Sequence, residues 1–450
     1  MAADHAQSIR SLLSVSPCQA RELALKLGIS QPTVSRALRD LGDECLRFGP
    51  YQSIQYALRR ALLAEKEMQV YRVTPQGRIE KMGDLVPVHP AGYVMRRTDG
   101  SALLHEGFPW WLHDMWPQGY LGRAYAATMA AALGLPERLG DWQEHHVLRA
   151  LLSQSGSETV GNLLLGEQAR HHFLQRPDPV AAIAAADIPA AYARLSREAM
   201  SGGAPESSAG GEQPKFTAHV ETADGPRHVL VKFTLPGDNP VTRRWRDLLL
   251  AEHHALTLLR EGGIEAVATR LIDRDEQRFL EVERFDRIGP HGRRGLTSLT
   301  ALDTEFVGLG RGPWPGMTGP LVRTGHITQD AHHGACRLHS FGMLIGNTDI
   351  HPGNLSFVTD QGPPCALAPA YDMLPMAFAP RASGELPHTL AAPTIDGAIS
   401  ADIWREMAAL GAKYLDRLHI ETGFSSGFGK CLAALDAHLA EACLRIGRLE

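Results

Sequence analysis

The chain has 450 residues, too many for one compact domain and about right for two or three. Apolar residues make up 44% and charged residues 21%, a globular mixture that excludes wholesale disorder. With 45 Lys and Arg against 50 Asp and Glu the net charge is −5, which by itself carries no sign of a nucleic-acid partner. That sum hides a split: residues 1–66 hold nine basic and six acidic side chains, a balance of +3, and the remainder carries −8. The six cysteines, at 18, 45, 336, 365, 431 and 443, form no CxxC pair and read as reduced thiols of a cytosolic protein. The opening Met1–His5 lacks a basic and an apolar region, so no secretory signal is expected. The longest apolar stretch, near Ala126–Leu135, is far short of the ~20 residues a bilayer span needs. The expectation is a cytoplasmic protein with no membrane contact.

The first segment reads helix, helix, turn, helix. Ile9–Leu13 is a short apolar stripe, and Pro17 opens a second helix in which Leu23 and Leu27 share a face. Gly28 ends that helix where a left-handed residue is needed, and Ser30 caps a third with Pro32 in its first turn. Val34, Leu38 and Leu41 point inward at helical spacing, leaving Gln31, Thr33, Ser35, Arg36 and Arg39 on the other face. The pattern resembles a helix-turn-helix with a polar, basic recognition helix, for which double-stranded DNA is the partner. Leu46–Arg60 is expected to supply a wing and a further helix. Paired half-sites are what such modules usually read, so a homodimer is the expected state.

From Gln69 to Gly166 the pattern gives short strands, Val70–Val73 and Arg78–Met82, then an aromatic-rich loop from Phe108 to Trp116, read as buried indoles. Residues 177–198 are Ala-rich and amphipathic enough for a helix. The Gly- and Ser-rich Ser201–Gly211 follows, then strands at His219–Val220 and His228–Phe233, a helix over 243–261 and a strand at Phe279–Glu283. Residues 297–450 carry helix-length apolar patterns, interrupted by polar loops at 346–355 and 368–375.

Singly, the chemistry-bearing pieces of this second half are weak; their order is informative. Phosphoryl transfer needs a loop over the phosphates, a strand Lys paired with a helix Glu, an Asp with an Asn five residues on, and a further metal-binding Asp. The chain runs Gly/Ser loop (201–213), Lys232, Glu252, a strand into a hinge (281–286), Asp349 and Asn354 in D-x4-N spacing, then Asp372.

The segments Ser207-Ser-Ala-Gly-Gly-Glu-Gln-Pro-Lys215, Val282-Glu-Arg-Phe-Asp286, Asn347-Thr-Asp-Ile-His-Pro-Gly-Asn354 and Tyr371-Asp372 resemble those of the HipA family, bacterial serine/threonine protein kinases known as toxins of toxin–antitoxin modules. The likeness runs over about 69–450, with Leu151-Leu-Ser and Gly161-Asn-Leu before the kinase core. Beside the winged helix-turn-helix that the residues give over 1–66, the likeness implies an α+β chain with a two-lobed protein-kinase-like fold, an N-terminal lobe over 69–290 and a mainly helical C-terminal lobe over 291–450. It further implies ATP and Mg²⁺ as cofactors. Asp349 would be the catalytic base, Asn354 and Asp372 the Mg²⁺ ligands, and Lys232 the phosphate contact. Gly210, Gly211, Glu212, Gln213, Pro214 and Lys215 would cover the triphosphate, Glu283, Arg284 and Phe285 would meet adenine, and His351 would line the nucleotide site. Counting back from Lys215 in Gln-x-Lys puts the family's autophosphorylated serine at Ser208, with Ser207 as the alternative. A protein substrate is implied, an aminoacyl-tRNA synthetase or another translation component, together with an antitoxin. The best-known members take DNA binding from that separate antitoxin, so a fused reader points to regulation in cis or a stand-alone kinase.

Two other features of the sequence point elsewhere. His332, His333, Cys336 and His339 hint at zinc, but no second Cys/His pair follows at finger spacing, and a satisfied helix surface is the expectation. The alternative function is a DNA-binding transcriptional regulator whose kinase-like part binds nucleotide or partner without catalysis.

Overall fold

A computed structural model describes residues 2–50, 53–153, 159–176, 181–201 and 213–449. Contacts divide the chain into two compact units, Met1–Thr74 with Arg78–Trp116 and Gly140–Arg176, and Pro75–Gly77 with Pro117–Leu139 and Pro177–Glu450. No helix of the described residues is long and apolar enough to cross a membrane.

The first unit begins with α1 (Ala2–Leu13), β1 (Cys18–Gln19), α2 (Ala20–Leu27) and α3 (Gln31–Asp40). Gly28 takes φ 65 at the end of α2, and the Ser30 hydroxyl caps α3 by accepting the Thr33 N–H at 3.4 Å. Ile9, Leu13, Leu23, Val34, Leu38 and Leu41 meet in one core. After α3 come β2 (Cys45–Phe48) and β3 (Gln55–Leu58), which with β1 make a three-stranded sheet in the order β1-β3-β2. The helix expected within Leu46–Arg60 is not formed: among the described residues that stretch holds strands and no α-helix. Alternation decides it, because Leu46, Phe48 and Ala57 all bury on one face of the pair.

Those three side chains pack on Val86, Val88 and Val94 of a second sheet. It consists of β4 (Met68–Val73), β5 (Ile79–Val88), β6 (Gly92–Arg97), β7 (Ala102–His105) and β8 (Leu163–Leu165) in the order β7-β6-β5-β4-β8. The aromatic stretch forms a 3₁₀ turn over Trp110–Met115, and Trp110, Trp111 and Trp116 are half-buried rather than enclosed. Of the helices α4 (Gly119–Leu133), α5 (Glu144–Ser153) and α6 (Gly166–Leu174), the last two flank β8 within this unit.

In the second unit α7 (Ile188–Ser201) precedes a hairpin of β9 (Lys215–Thr222) and β10 (Gly225–Phe233), then α8 (Pro240–Glu261), β11 (Thr269–Arg274) and β12 (Gln277–Glu283). The strands form an antiparallel sheet in the order β11-β12-β10-β9. Alternation sorts its faces. Phe216, Val220, Val229, Val231, Phe233 and Phe279 pack with Ile188 and Tyr192 of α7, which puts Lys232 on the opposite face with its partner in the pairing, Lys215. Helix α8 starts at a reciprocal cap, Asn239 accepting from the Val241 and Thr242 N–H groups at 3.0 Å each.

The remainder is mainly helical. Short ladders β13 (Arg287–Ile288), β14 (Gly292–Arg293), β15 (Leu296–Ser298), β16 (Ser356–Val358) and β17 (Ala366–Leu367) alternate with α9 (Leu299–Phe306), α10 (Trp314–Arg323), α11 (Gln329–Leu344), α12 (Ala401–Ile420) and α13 (Gly429–Ile446). Buried Arg244 of α8 fastens this part by donating to the Phe378 and Pro387 carbonyls at 3.0 and 2.7 Å.

Candidate active site

The centre of the site is a cation between two carboxylates. Lys232 on β10 donates to Glu252 of α8 at 2.6 Å and to the Asp372 carboxylate, which arrives from 140 residues further along the chain. Lys232 is 5% and Glu252 0% exposed, so each depends on the other for its charge. Burial alone would lower the lysine pKa; the Asp372 and Glu252 carboxylates reverse that, and the net direction is up. Burial pushes Glu252 up, opposed by Lys232, and its second oxygen is buried without a hydrogen-bond partner. Asp372 is also opposed by burial, but Lys232 and Lys215 outweigh it and hold its carboxyl at about 2. Its backbone sits at φ 54, a region costly for a residue with a Cβ.

Asp349 and Asn354 lie on a loop whose backbone is held from several sides. The Asn347 side chain accepts the Asp349 N–H at 3.0 Å, and Asn354 Nδ2 donates to the Asp349 carbonyl at 3.0 Å. The Trp314 indole donates to the His351 carbonyl at 3.2 Å, and the Tyr371 hydroxyl to the Gly353 carbonyl at 3.1 Å. Gly353 leaves room for the His351 ring, since a Cβ there would meet His351 Cε1 at 2.8 Å and push the ring aside. With its backbone fixed, the Asp349 side chain is left 54% exposed. Burial still raises its pKa and Asp372 adds to that, against the lowering pull of His351 and Lys232. His351 accepts the Gly353 N–H on Nδ1 at 3.0 Å and places Nε2 at 4.0 Å from Asp349.

Asn354 uses its amide nitrogen on Asp349 and keeps its oxygen, while Asp372 offers a carboxylate. Amide and carboxylate oxygens are the donors a hard dication such as Mg²⁺ takes, so this pair fits that ion. Asn347 also donates to the Asp372 carbonyl at 3.3 Å, tying the two segments together.

Of the residues expected over the triphosphate, Gly210, Gly211 and Glu212, with Ser207 and Ser208, lie outside the described residues. The end that is described is anchored on the Lys232 strand: Gln213 donates to the Phe233 carbonyl, and Pro214 accepts the Phe233 N–H at 3.0 Å. At the hinge, the N–H groups of Glu283 and Arg284 are already engaged, by the Ala268 and His228 carbonyls at 2.9 Å each. The Arg284 guanidinium grips Asp286 at 3.0 and 2.8 Å, and the Phe285 ring stacks on Tyr371 with centroids 5.9 Å apart. Phe285 is therefore the member of that trio that abuts the segment carrying Asp372.

Sequence reasoning gave no role to Trp314, or to Asn347 and Tyr371 although both stood in the motifs it used. Tyr371 could have been found by its place beside Asp372; nothing local marked Trp314. The His/Cys group is divided: His333 is exposed and His332 half-buried, but Cys336 and His339 on α11 are 2% and 6% exposed, and burial lowers the His339 pKa to about 4. His332 bonds the Thr318 hydroxyl at 2.7 Å, and among the described residues no cluster of three or more His, Cys, Asp or Glu side chains is placed to hold a metal ion. On α3, Gln31, Ser35, Arg36 and Arg39 are exposed, whereas Thr33 is half-buried with its hydroxyl 2.9 Å from that of Ser30.

Comparison with known proteins gives a consistent set. A family model described as the HipA-like C-terminal domain matches residues 207–422, and one described as the YjjJ-like toxin middle domain matches residues 64–174. Toxin YjjJ of Escherichia coli (strain K12) is 38% identical over 427 residues, 93% of this chain and 94% of that protein. Among solved structures, a chain of the Shewanella oneidensis MR-1 toxin–antitoxin complex of HipA, HipB and operator DNA superimposes with a TM-score of 0.53 at 15% identity. The match covers 84% of this chain and 97% of that one, a likeness of fold. The Helicobacter pylori proinflammatory kinase CtkA matches with a TM-score of 0.34 at 13% identity, over 55% of this chain and 94% of its own.

Proposed function

This chain belongs to the HipA-like toxin family, and from that premise we propose that it is an ATP- and Mg²⁺-dependent serine/threonine protein kinase with a DNA-binding winged helix-turn-helix fused at its N-terminus. The observation that carries the catalytic reading is Lys232 held between Glu252 and Asp372, with Asp349 and Asn354 on one braced loop.

Asp349 accepts the proton of the incoming hydroxyl, and its raised pKa makes it a better base than an ordinary aspartate. Lys232 binds phosphate oxygens, with Glu252 holding its ammonium in place. Asn354 and Asp372 would hold Mg²⁺, which when bound neutralises charge between the phosphates. Gln213–Lys215 carry the phosphate loop into β9 beside Lys232, and Phe285 adjoins the adenine side. Ser208, or Ser207, receives a phosphate from the chain's own site. That modification adds about −1.5 to −2 charge beside Glu206 and Glu212 and favours expulsion of the loop.

In the N-terminal module, α3 presents Gln31, Ser35, Arg36 and Arg39 to a duplex, supported by their exposure and by the +3 balance of residues 1–66. The catalytic reading is tested by incubating the purified protein with labelled ATP and Mg²⁺ and mapping phosphate by mass spectrometry. Label at Ser207 or Ser208, or on proteins of a cell extract, is expected. No incorporation at either would overturn it and leave the DNA-binding regulator without catalysis.

A further inference from the structure

Arg244, near the start of α8, is 5% exposed and makes no ion pair among the described residues. The carboxylate one turn on, Asp247, is bonded instead by the Ser425 N–H at 2.8 Å and the Ser425 hydroxyl at 2.6 Å. The Arg244 guanidinium gives both of its strong bonds to main chain: Nη1 donates to the Phe378 and Pro387 carbonyls at 3.0 and 2.7 Å, closing the base of the exposed stretch 381–385. The enclosed Phe428 ring lies with its centroid 5.8 Å from that guanidinium and meets Phe378 edge-on. A buried charge is costly, and neutral carbonyls compensate it less than a carboxylate would. What arginine adds is a rigid planar fork whose Nη1 offers a proton to each carbonyl.

Two bonded routes leave Arg244, and both end on Asp372. One follows α8 from residue 244 to 252, about 12 Å of helix, to Glu252, which holds Lys232 at 2.6 Å; Lys232 in turn holds the Asp372 carboxylate. The other crosses to Phe378, beside Ala377, whose N–H donates to the Gly346 carbonyl at 3.1 Å. The next residue, Asn347, donates to the Asp372 carbonyl at 3.3 Å. Asp372 needs such support, because a residue at φ 54 persists only where its surroundings over-determine it. We propose that Arg244 is a positioning residue: by clamping the segment after Asp372 to the helix that carries Glu252, it sets how the Asp372 carboxylate is offered to Mg²⁺. This role rests on the kinase reading of the cleft and adds to it a residue well outside the Asp349 loop.

The test measures binding of a non-hydrolysable ATP analogue to the full chain by calorimetry across a series of Mg²⁺ concentrations, with urea unfolding of every variant alongside. Arg244→Ala and Arg244→Lys are compared with Ser425→Ala, which loosens the neighbouring turn of α8 without touching the segment after Asp372. The Mg²⁺ needed for half-maximal binding should rise about 10-fold or more in Arg244→Ala, the loss typical of a partner behind a metal ligand. It should rise less in Arg244→Lys and stay at the wild-type value in Ser425→Ala, although all three lose stability. If the folded Arg244 variants keep the wild-type Mg²⁺ dependence, or Ser425→Ala shifts it as far as they do, the positioning role is overturned and the kinase reading stands. If neither Arg244 variant folds, amide hydrogen exchange of the wild type decides: analogue with Mg²⁺ should slow exchange of the Ala377 N–H beyond analogue alone, and equal rates overturn the role. If the wild type binds no analogue, the role and the kinase reading fall together.

Discussion

Lys232 and Arg36 carry the same charge in opposite circumstances. Lys232 is buried with two carboxylates on it, and Glu252, at 0% exposure, has no other cation within hydrogen-bond reach among the described residues. Arg36 stands exposed on α3 beside Arg39, as Arg47 does at the edge of β2. An enclosed cation needs partners within the chain, because removing it from water costs several kcal/mol. An exposed one needs none and remains free to meet a partner's anion. The first arrangement fixes a geometry; the second leaves a surface to be read. One chain thus uses basic residues both to build a rigid cleft and to keep a sticky face, and whole-chain charge conceals both.

The contrast breaks most visibly at Lys232. Lys232→Met should abolish phosphate transfer and also lower stability by about 3–5 kcal/mol, since Glu252 and Asp372 lose their counter-charge. Urea unfolding and labelled ATP read the two effects, and adding Glu252→Gln should restore part of the stability and none of the activity. Arg36→Ala should leave unfolding unchanged and cost about 1–3 kcal/mol in duplex binding if it reads a base, seen by fluorescence anisotropy. Within the cleft, Tyr371→Phe removes the bond to the Gly353 carbonyl. It should cost about 0.5–1.5 kcal/mol, a fall in kcat of up to about tenfold. The smallest effect is in the pH profile. In the proposed mechanism the ionised Asp349 accepts the proton, and its pKa is raised, so kcat/KM should fall with acidity through a limb above the ordinary aspartate value of about 3.9. A limb at the ordinary value would count against Asp349 as the base.

Local patterns carried much of this. The alternation in His228–Phe233 and Phe279–Glu283 corresponds to β10 and β12, the periodicity of 243–261 to α8, and Gly28 and Ser30 to the ends of α2 and α3. What stayed hidden was pairing at long range. No window shows that Asp372 closes on Lys232 or that Trp314 reaches the His351 carbonyl, because neither contact leaves a period in the chain. Leu46–Arg60 misled for a related reason: the apolar partners that make it a strand pair, Val86, Val88 and Val94, come some thirty residues later. The His/Cys group of α11 misled in another way. The polar residue types suggested a wet face, while Cys336 and His339 are buried against neighbouring helices.

The most direct measurement compares Asp349→Asn with wild type in transfer of labelled phosphate from ATP to protein, with folding of both checked by circular dichroism. Asn keeps the size of the side chain, and the backbone bonds of Asp349 to Asn347 and Asn354 do not involve its carboxylate. The account predicts a loss of about 10²–10⁴-fold in rate with unchanged duplex binding. Equal rates from the two proteins would contradict it.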